Sequence, residues 1–433
     1  MADAIDFPGR ILLQEYGPPV VRAANSLNLH ALAEANKRWR KALGLSKDPI
    51  RVEDLGDGNV KLRAEDVTGV VRVGDVDIEI APKFLNAAED SWQTVLWRIL
   101  TVVEGGLVDD TFTAAHKLAS FSMPDLLADM FLASYAKGAA RGLPRAYQSE
   151  QMTGTTLRGA LDTSRLGEWV AHPWELPYVA DLLTDDTPLA RLLRWSAECL
   201  AGSVKAPGRA RAVREIAAGL SHVGRQPPHL HDAQRISLGI QHQGLEPARV
   251  VGLLLLEGAG VHHAKGEHLL SGFLWNSDVT YENYIYWLCQ RAASSNGERV
   301  DKRVIKFGKV ISGEGSKLET TPDVVFRDGQ GRPVAVTDSK YKRLGTRPKA
   351  ADTYQVLTAG HVLGCQRISL TYPVARDQAS TIWRVSSALG SSDIELTALP
   401  LNLMSLARPD GTQMLIETIS RWLKGGLFTG SDD

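Results

Sequence analysis

Two short segments, Thr-Pro-Asp-Val-Val-Phe at 321–326 and Thr-Asp-Ser-Lys-Tyr-Lys at 337–342, constrain the fold more than any other part of the chain. Val324, Val325 and Phe326 form one β-branched and aromatic run, Val334, Ala335 and Val336 form another, and Asp328-Gly329-Gln330-Gly331 between them supplies turn residues. The pattern predicts a β-hairpin whose turn centres near Gln330. Folding about that turn sets Asp323, at the entry of one strand, opposite Asp338, at the exit of the other. Side chains alternate along a strand, so Lys340 shares the face of Asp338 while Ser339 turns away.

Two carboxylates and an ammonium at one point suit a hard divalent cation. Mg²⁺, with Mn²⁺ as an alternative, takes oxygen ligands, keeps several waters and bridges to substrate phosphates. Such an ion lowers the pKa of a bound water and stabilises charge on phosphoryl oxygens. Lys340 is then placed to orient that water, accept its proton or stabilise the pentavalent phosphorus. A Pro-Asp pair alone reads as a turn, and an Asp-x-Lys triplet alone as a surface ion pair. Their joint register is what makes them a candidate site.

This arrangement resembles the PD-(D/E)xK nuclease superfamily, and the surrounding residues resemble the McrC family, the nuclease subunits of McrBC-type modification-dependent restriction systems. The resemblance extends to Tyr281-Glu282-Asn283-Tyr284 and Asp352-Thr353-Tyr354-Gln355 around the site. In the N-terminal half it takes in Thr68-Gly69-Val70-Val71-Arg72-Val73, then Asp77-Ile78-Glu79-Ile80-Ala81-Pro82-Lys83-Phe84, and Leu157-Arg158-Gly159-Ala160-Leu161-Asp162. It implies that Asp323 and Asp338 hold the metal and that Lys340 acts on the water. It brings Glu282 near the site from the N-terminus of a helix in which Tyr281, Ile285 and Leu288 recur at helical spacing. Gln355 is expected at the site, and Tyr354 with the DNA contacts, from a second helix. The chain departs from the family where an aromatic commonly follows that Gln by four residues. Ala359 stands there, which leaves open whether the helix makes a different DNA contact or packs.

At 433 residues, 44% hydrophobic and 23% charged, the chain is long enough for two or three domains of ordinary globular composition. Cys199, Cys289 and Cys365 are too few and too far apart for a disulfide framework or zinc spacing, which favours a reducing compartment. With no secretory leader pattern and with the apolar run from Val250 to Leu256 too short for a bilayer, a cytoplasmic protein without membrane contact is expected. A net charge of −1 excludes a polyanion-binding surface over the whole protein. Basic residues do gather locally, however. Lys340, Lys342, Arg343, Arg347 and Lys349 follow the carboxylates, and Lys302, Arg303, Lys306 and Lys309 lead into them. These are expected to neutralise phosphates of double-stranded DNA, Lys342 and Arg343 above all.

Three regions are expected. Residues 1–155 read as a mixed α+β domain, with helices from Leu27 to Leu43, Trp92 to Val103 and Pro124 to Ala140. Residues 156–268 read as mainly helical, with helices at Pro188 to Ala201, Arg209 to Leu220 and Ala248 to Leu256. Residues 269–433 form the nuclease domain, an α/β core of the restriction-endonuclease type. His229 with His231, and His262 with His263, lack a third ligand at structured spacing and are read as structural. Glu257-Gly258-Ala259-Gly260 reads as a helix ending in glycines. No phosphate-binding loop is present, and Gly313-Glu314-Gly315-Ser316-Lys317 lacks its spacing, so no nucleotide-binding motif is assigned. The McrC resemblance implies a McrB-like AAA+ GTPase or ATPase partner, docked on and stimulated by the N-terminal half. The expectation is therefore a Mg²⁺-dependent DNA endonuclease of a restriction or anti-phage system. The alternatives are an assembly factor for an AAA+ ring with cleavage secondary, and a stand-alone repair nuclease.

Overall fold

The computed structural model describes residues 10–74, 76–85, 92–103, 123–140, 142–204, 206–257, 271–308, 318–386 and 393–425. Lys309, His262, His263, the glycines at 258 and 260 and the segment 313–317 lie outside them. The chain forms two compact units, one made of residues 1–123 together with 258–433 and the other of residues 124–257.

The first unit begins with β1 (Arg10–Gln14), β2 (Val20–Ala23), a helix at Leu29–Ala42, then β3 (Ile50–Asp54), β4 (Asn59–Ala64), β5 (Val67–Val73) and β6 (Val76–Ala81). Asn28 starts the helix by accepting the Ala31 N–H at 2.9 Å, which satisfies one of its free donors. β2, β4 and β3 form one antiparallel sheet, while β1 pairs in parallel with β6, which pairs with β5. Alternating residues of these strands, among them Ile11, Leu13, Ile78 and Ile80, close on Leu32, Ala35 and Trp39 of the helix. The helix expected from Trp92 to Val103 spans Trp92–Val103.

The second unit holds helices at Met123–Gly138, Pro188–Ser203, Pro207–Gly219 and Glu246–Glu257. It also holds a sheet that the mainly helical expectation does not contain: β7 (Ala146–Gly154), β8 (Ala160–Leu161) and β9 (Leu176–Thr184), in the order β7-β9-β8. Thr187 caps the helix that follows β9, and Pro188 occupies its first turn, where a missing N–H costs nothing.

The chain then returns to the first unit. β10 (Ser271–Asn276) pairs antiparallel with β5, completing the N-terminal sheet from a point some 200 residues downstream. Asn276 caps the helix Ser277–Ser295 by accepting the N–H groups of Asp278 and Val279. After it come β11 (Arg299–Asp301), a two-stranded ribbon of β12 (Ile305–Gly308) and β13 (Leu318–Thr320), and then β14 (Val324–Arg327) and β15 (Pro333–Ser339). A helix at Ala350–Leu363 leads to β16 (Arg367–Val374), β17 (Thr381–Val385), β18 (Ile394–Asn402) and a last helix at Gly411–Leu423.

Six of these strands form one mixed sheet in the order β11-β14-β15-β16-β18-β17, with β15, β16 and β18 parallel. Its central strands β16 and β18 are buried along most of their length, so that Ser369, Thr371 and Thr397, which alternate with apolar residues, are buried as well. Phe326 meets Trp422 of the last helix edge to face at 5.8 Å. Val356 and Ala359 of the helix Ala350–Leu363 pack with Ile368, Leu370 and Leu396 on the sheet. Ala359 therefore packs. Among the described residues no helix is long and apolar enough to cross a membrane.

Candidate active site

The β14–β15 hairpin forms as its residues require. Val324 pairs with Thr337, Val325 with Val336 and Phe326 with Ala335, after which the register shifts by a bulge at Arg327. Asp328 closes the turn by accepting the backbone N–H groups of Gln330 and Arg332, both at 2.9 Å, and Gly331 takes a φ of +81° that a residue with a Cβ would resist. One step beyond Val324–Thr337 lie Asp323 and Asp338. Their contact is direct: the Asp323 N–H donates to Asp338 Oδ1 at 3.3 Å.

Each carboxylate has one oxygen committed and one turned to the site. Asp323 Oδ2 accepts the Ser339 N–H at 2.7 Å and the Ser339 hydroxyl at 2.5 Å, and Asp323 Oδ1 faces Lys302 Nζ at 3.9 Å. Asp338 is 1% exposed, and its Oδ2 has no hydrogen-bond donor of ordinary geometry although the Lys340 ammonium is pressed against it as an ion pair. Burial, reinforced by the charge of Asp323, pushes the Asp338 carboxyl up to about 6 against the opposing pull of Lys340. A second positive charge would relieve that site.

The residue set fits a divalent cation of the magnesium kind. Among the described residues no cluster of three or more His, Cys, Asp or Glu side chains is arranged to hold an ion. A pair of carboxylates, each with one oxygen that meets only a lysine ammonium, is the sparse protein contribution that Mg²⁺ accepts, leaving positions for water and substrate phosphate.

The other expected residues fall around this pair. Lys340 Nζ also donates to Gln355 Oε1 at 3.2 Å, which brings the helix Ala350–Leu363 to the site. Glu282 lies beside it too, but it is the sixth residue of its helix rather than at the N-terminus, beyond the turn where the macrodipole acts. Its partner is instead Lys302, which it holds by an ion pair. Burial alone would lower the Lys302 pKa, but the Glu282 hydrogen bond and the charges of Glu282, Asp323 and Asp338 raise it on balance. Lys302, expected among the phosphate-neutralising residues, thus bridges two acids of the site. Lys342 pairs with both oxygens of Asp352, at 2.9 and 3.0 Å. Arg343 donates to the Lys83 carbonyl at 3.2 Å. Tyr354 is 68% exposed, beside Gln355 but turned to solvent.

Ser339 and Asp352 are structural members of the site that the sequence reading did not single out. Alternation turns Ser339 away from Asp338, yet the strand ends there and its hydroxyl reaches Asp323 instead. Asp352 stands in the Asp-Thr-Tyr-Gln segment, where its burial beside two lysines gives it a role. A cavity of about 620 Å³ opens next to Lys340, lined by Ser339, Lys342, Lys349, Glu282 and, from the N-terminal part of the same unit, Tyr16 and Lys83.

Comparison with known proteins agrees with this architecture. Residues 62–373 match the family model described as McrBC 5-methylcytosine restriction system component. The chain belongs to the McrBC family. Among solved structures, this McrBC-family chain is similar to one described as a refined half-complex from a tetradecameric assembly of Thermococcus gammatolerans McrB AAA+ hexamers with bound McrC. The TM-score is 0.61 at 16% identity, over 96% of this chain and 100% of that one, a likeness of fold. A cryo-EM structure of the Thermococcus gammatolerans McrBC complex matches at a TM-score of 0.44 and 18% identity, over 65% of this chain and 88% of that one. No curated protein matches.

Proposed function

We propose that this chain is the DNA-cutting subunit of a McrBC-type restriction system, a Mg²⁺-dependent endonuclease built on a PD-(D/E)xK core. The convergence of Asp323 and Asp338 at the open end of the β14–β15 hairpin, with Lys340 against Asp338, carries the reading. Asp323 and Asp338 would hold the metal. Its chemistry when bound is to polarise phosphoryl oxygens and to ease ionisation of water.

The protein's own groups supply the rest. Lys340, one of whose protons is held by Gln355, offers a second ammonium N–H to a nonbridging oxygen of the scissile phosphate or to the attacking water. Ser339 keeps Asp323 turned so that Oδ1 faces the site. Glu282 holds Lys302 close to Asp323, adding positive charge where an anionic phosphodiester has to approach. Lys342, Arg343 and Tyr354 line the approach for the DNA backbone, and the charges of the first two set the salt dependence of binding. Membership of the McrBC family and the likeness of fold to an assembly of McrB AAA+ hexamers with bound McrC support a McrB-like GTPase or ATPase as the partner, whose nucleotide hydrolysis this chain stimulates.

Replacing Asp338 or Lys340 with Ala in the full chain tests the assignment. Cleavage of duplex DNA with Mg²⁺ and the partner is expected to vanish while the variants still assemble with the ring and still stimulate its hydrolysis. Retained cleavage sinks the nuclease reading, and cleavage by the wild-type chain without any ring makes it a stand-alone nuclease.

A further inference from the structure

Tyr341 directly follows Lys340, and its side chain is buried against the N-terminal part of the same compact unit. Its hydroxyl donates to Glu15 Oε2 at 2.6 Å, and that oxygen also accepts the Lys83 N–H at 3.2 Å. The Lys83 ammonium lies 3.7 Å from the centroid of the Tyr341 ring, within the range of a cation–π contact. Phe84 meets the ring edge to face at 5.5 Å, and Tyr281, from the helix that carries Glu282, approaches to 5.5 Å. Two residues on, Arg343 is fastened to the Lys83 carbonyl. The Pro82-Lys83-Phe84 turn, present in the sequence without an assigned task, therefore grips the segment that follows Lys340.

The choice of residue at position 15 is informative. Glu15 is completely buried, and its Oε1 has no hydrogen-bond partner. A buried charge adds little stability over a packed apolar side chain of similar volume, so a carboxyl here is poorly explained by packing alone. What it provides is direction, a fixed acceptor for one hydroxyl. The direction matters because adjacent Cα atoms are only about 3.8 Å apart, so a locked Tyr341 ring fixes where the Lys340 side chain begins. The other side is already held, since the Lys340 N–H donates to the Thr371 carbonyl at 2.9 Å. A lysine otherwise loses side-chain freedom on being placed, and a fixed root reduces what must be lost when substrate arrives.

We propose that Glu15, acting through the Tyr341 hydroxyl, is a positioning residue for Lys340, so that the end of the N-terminal strand β1, which Glu15 directly follows, and the Pro82-Lys83 turn are parts of the cutting site. This rests on the nuclease reading above. Burial pushes the Glu15 carboxyl up to about 7 against the lowering pull of Lys83 and of the Tyr341 hydrogen bond. A neutral carboxyl still accepts the hydroxyl, so glutamine, with its amide nitrogen in the place of the unpartnered Oε1, preserves the contact.

The test is single-turnover cleavage at saturating DNA and Mg²⁺ by the full chain assembled with its ring partner. Tyr341→Phe is expected to slow the step about tenfold with DNA affinity and thermal midpoint unchanged, and Glu15→Ala to slow it at least as much while also lowering the thermal midpoint, because it empties a fully buried position. The double variant is expected to be no slower than the slower single one, because both remove the same bond. Glu15→Gln is expected to restore most of what Glu15→Ala loses. Wild-type rates in Tyr341→Phe, which keeps the packing and so remains folded, overturn the proposal. Losses that add in the double variant and follow a lowered thermal midpoint overturn it as well. If the wild-type chain does not cleave, or Asp338→Ala still does, the nuclease reading falls and this inference with it; cleavage that needs Asp338 but ignores Glu15 and Tyr341 overturns this inference alone.

Discussion

Asp338 meets two opposing demands, since the site needs its negative charge and the fold pays for burying it. In the metal-free chain its carboxyl is raised to about 6, by burial first and by Asp323 second. An acid raised on folding binds its proton more tightly in the native state than in the unfolded one, so the native state loses stability as pH rises from the ordinary carboxylate value to the folded one. The cost is absent below about pH 4 and complete above about pH 6. With chelator present, Asp338→Asn is therefore expected to be more stable than wild type at pH 8, by on the order of 1 to 3 kcal/mol, and to lose that advantage near pH 4. Thermal melts across that pH range check it, and an advantage that grows toward acid refutes the assignment of burial as the cause. The pairing behind this effect was legible in the sequence because hairpin register follows from local turn chemistry, here Asp328 and Gly331. Lys302 was legible only as a charge. Nothing in its spacing shows that it reaches back to Glu282 in the preceding helix and forward, past β12 and β13, to Asp323.

At the scale of elements, the helix Ala350–Leu363 is fastened to the end of β15 by two polar contacts, Lys340 to Gln355 and Lys342 to Asp352. The second involves a nearly buried carboxylate. Lys342→Met removes the charge while keeping most of the volume, leaving Asp352 only the Lys340 ammonium at 3.8 Å, and is expected to cost roughly 1 to 3 kcal/mol. Lys342→Met combined with Asp352→Asn is expected to recover most of that loss, which a double-mutant cycle by chemical denaturation measures. A Lys342→Met variant as stable as wild type would show that Asp352 does not depend on this charge. The helix itself was expected from the Tyr354-Gln355 segment, and residues 92–103 are helical as their apolar period requires, with both flanks outside the described residues. β7 shows the converse. Ala-Tyr-Gln-Ser-Glu-Gln-Met-Thr-Gly has no alternating apolar face, most of its side chains are exposed, and its strand state is held by the backbone ladder to β9. Patterning cannot disclose a strand that buries no stripe of its own.

For the whole molecule the decisive contacts are remote in sequence. β10 completes the N-terminal sheet beside β5, the helix Trp92–Val103 packs on the helix Ser277–Ser295 and on residues 403–407, and Arg98 donates to the Arg408 carbonyl. Linear domain boundaries suit chains that finish one core before starting the next; here the N-terminal strands and the six-stranded sheet belong to one compact unit while residues 124–257 form another. Pairings of that separation leave no local trace, because each strand shows only its own periodicity and not its partner's address. If the site's geometry depends on this joint packing, the C-terminal half is not an independent nuclease. A fragment of residues 271–433 would expose β10 along its β5-pairing edge and uncover the part of the helix Ser277–Ser295 on which the helix Trp92–Val103 packs. Produced alone, that fragment is expected to bind a hydrophobic dye and melt without a sharp transition, and co-expression with residues 1–123 is expected to restore a cooperative melt. A sharp two-state melt from 271–433 alone would show instead that the C-terminal half carries a complete core, and that the N-terminal strands serve it only as a neighbour.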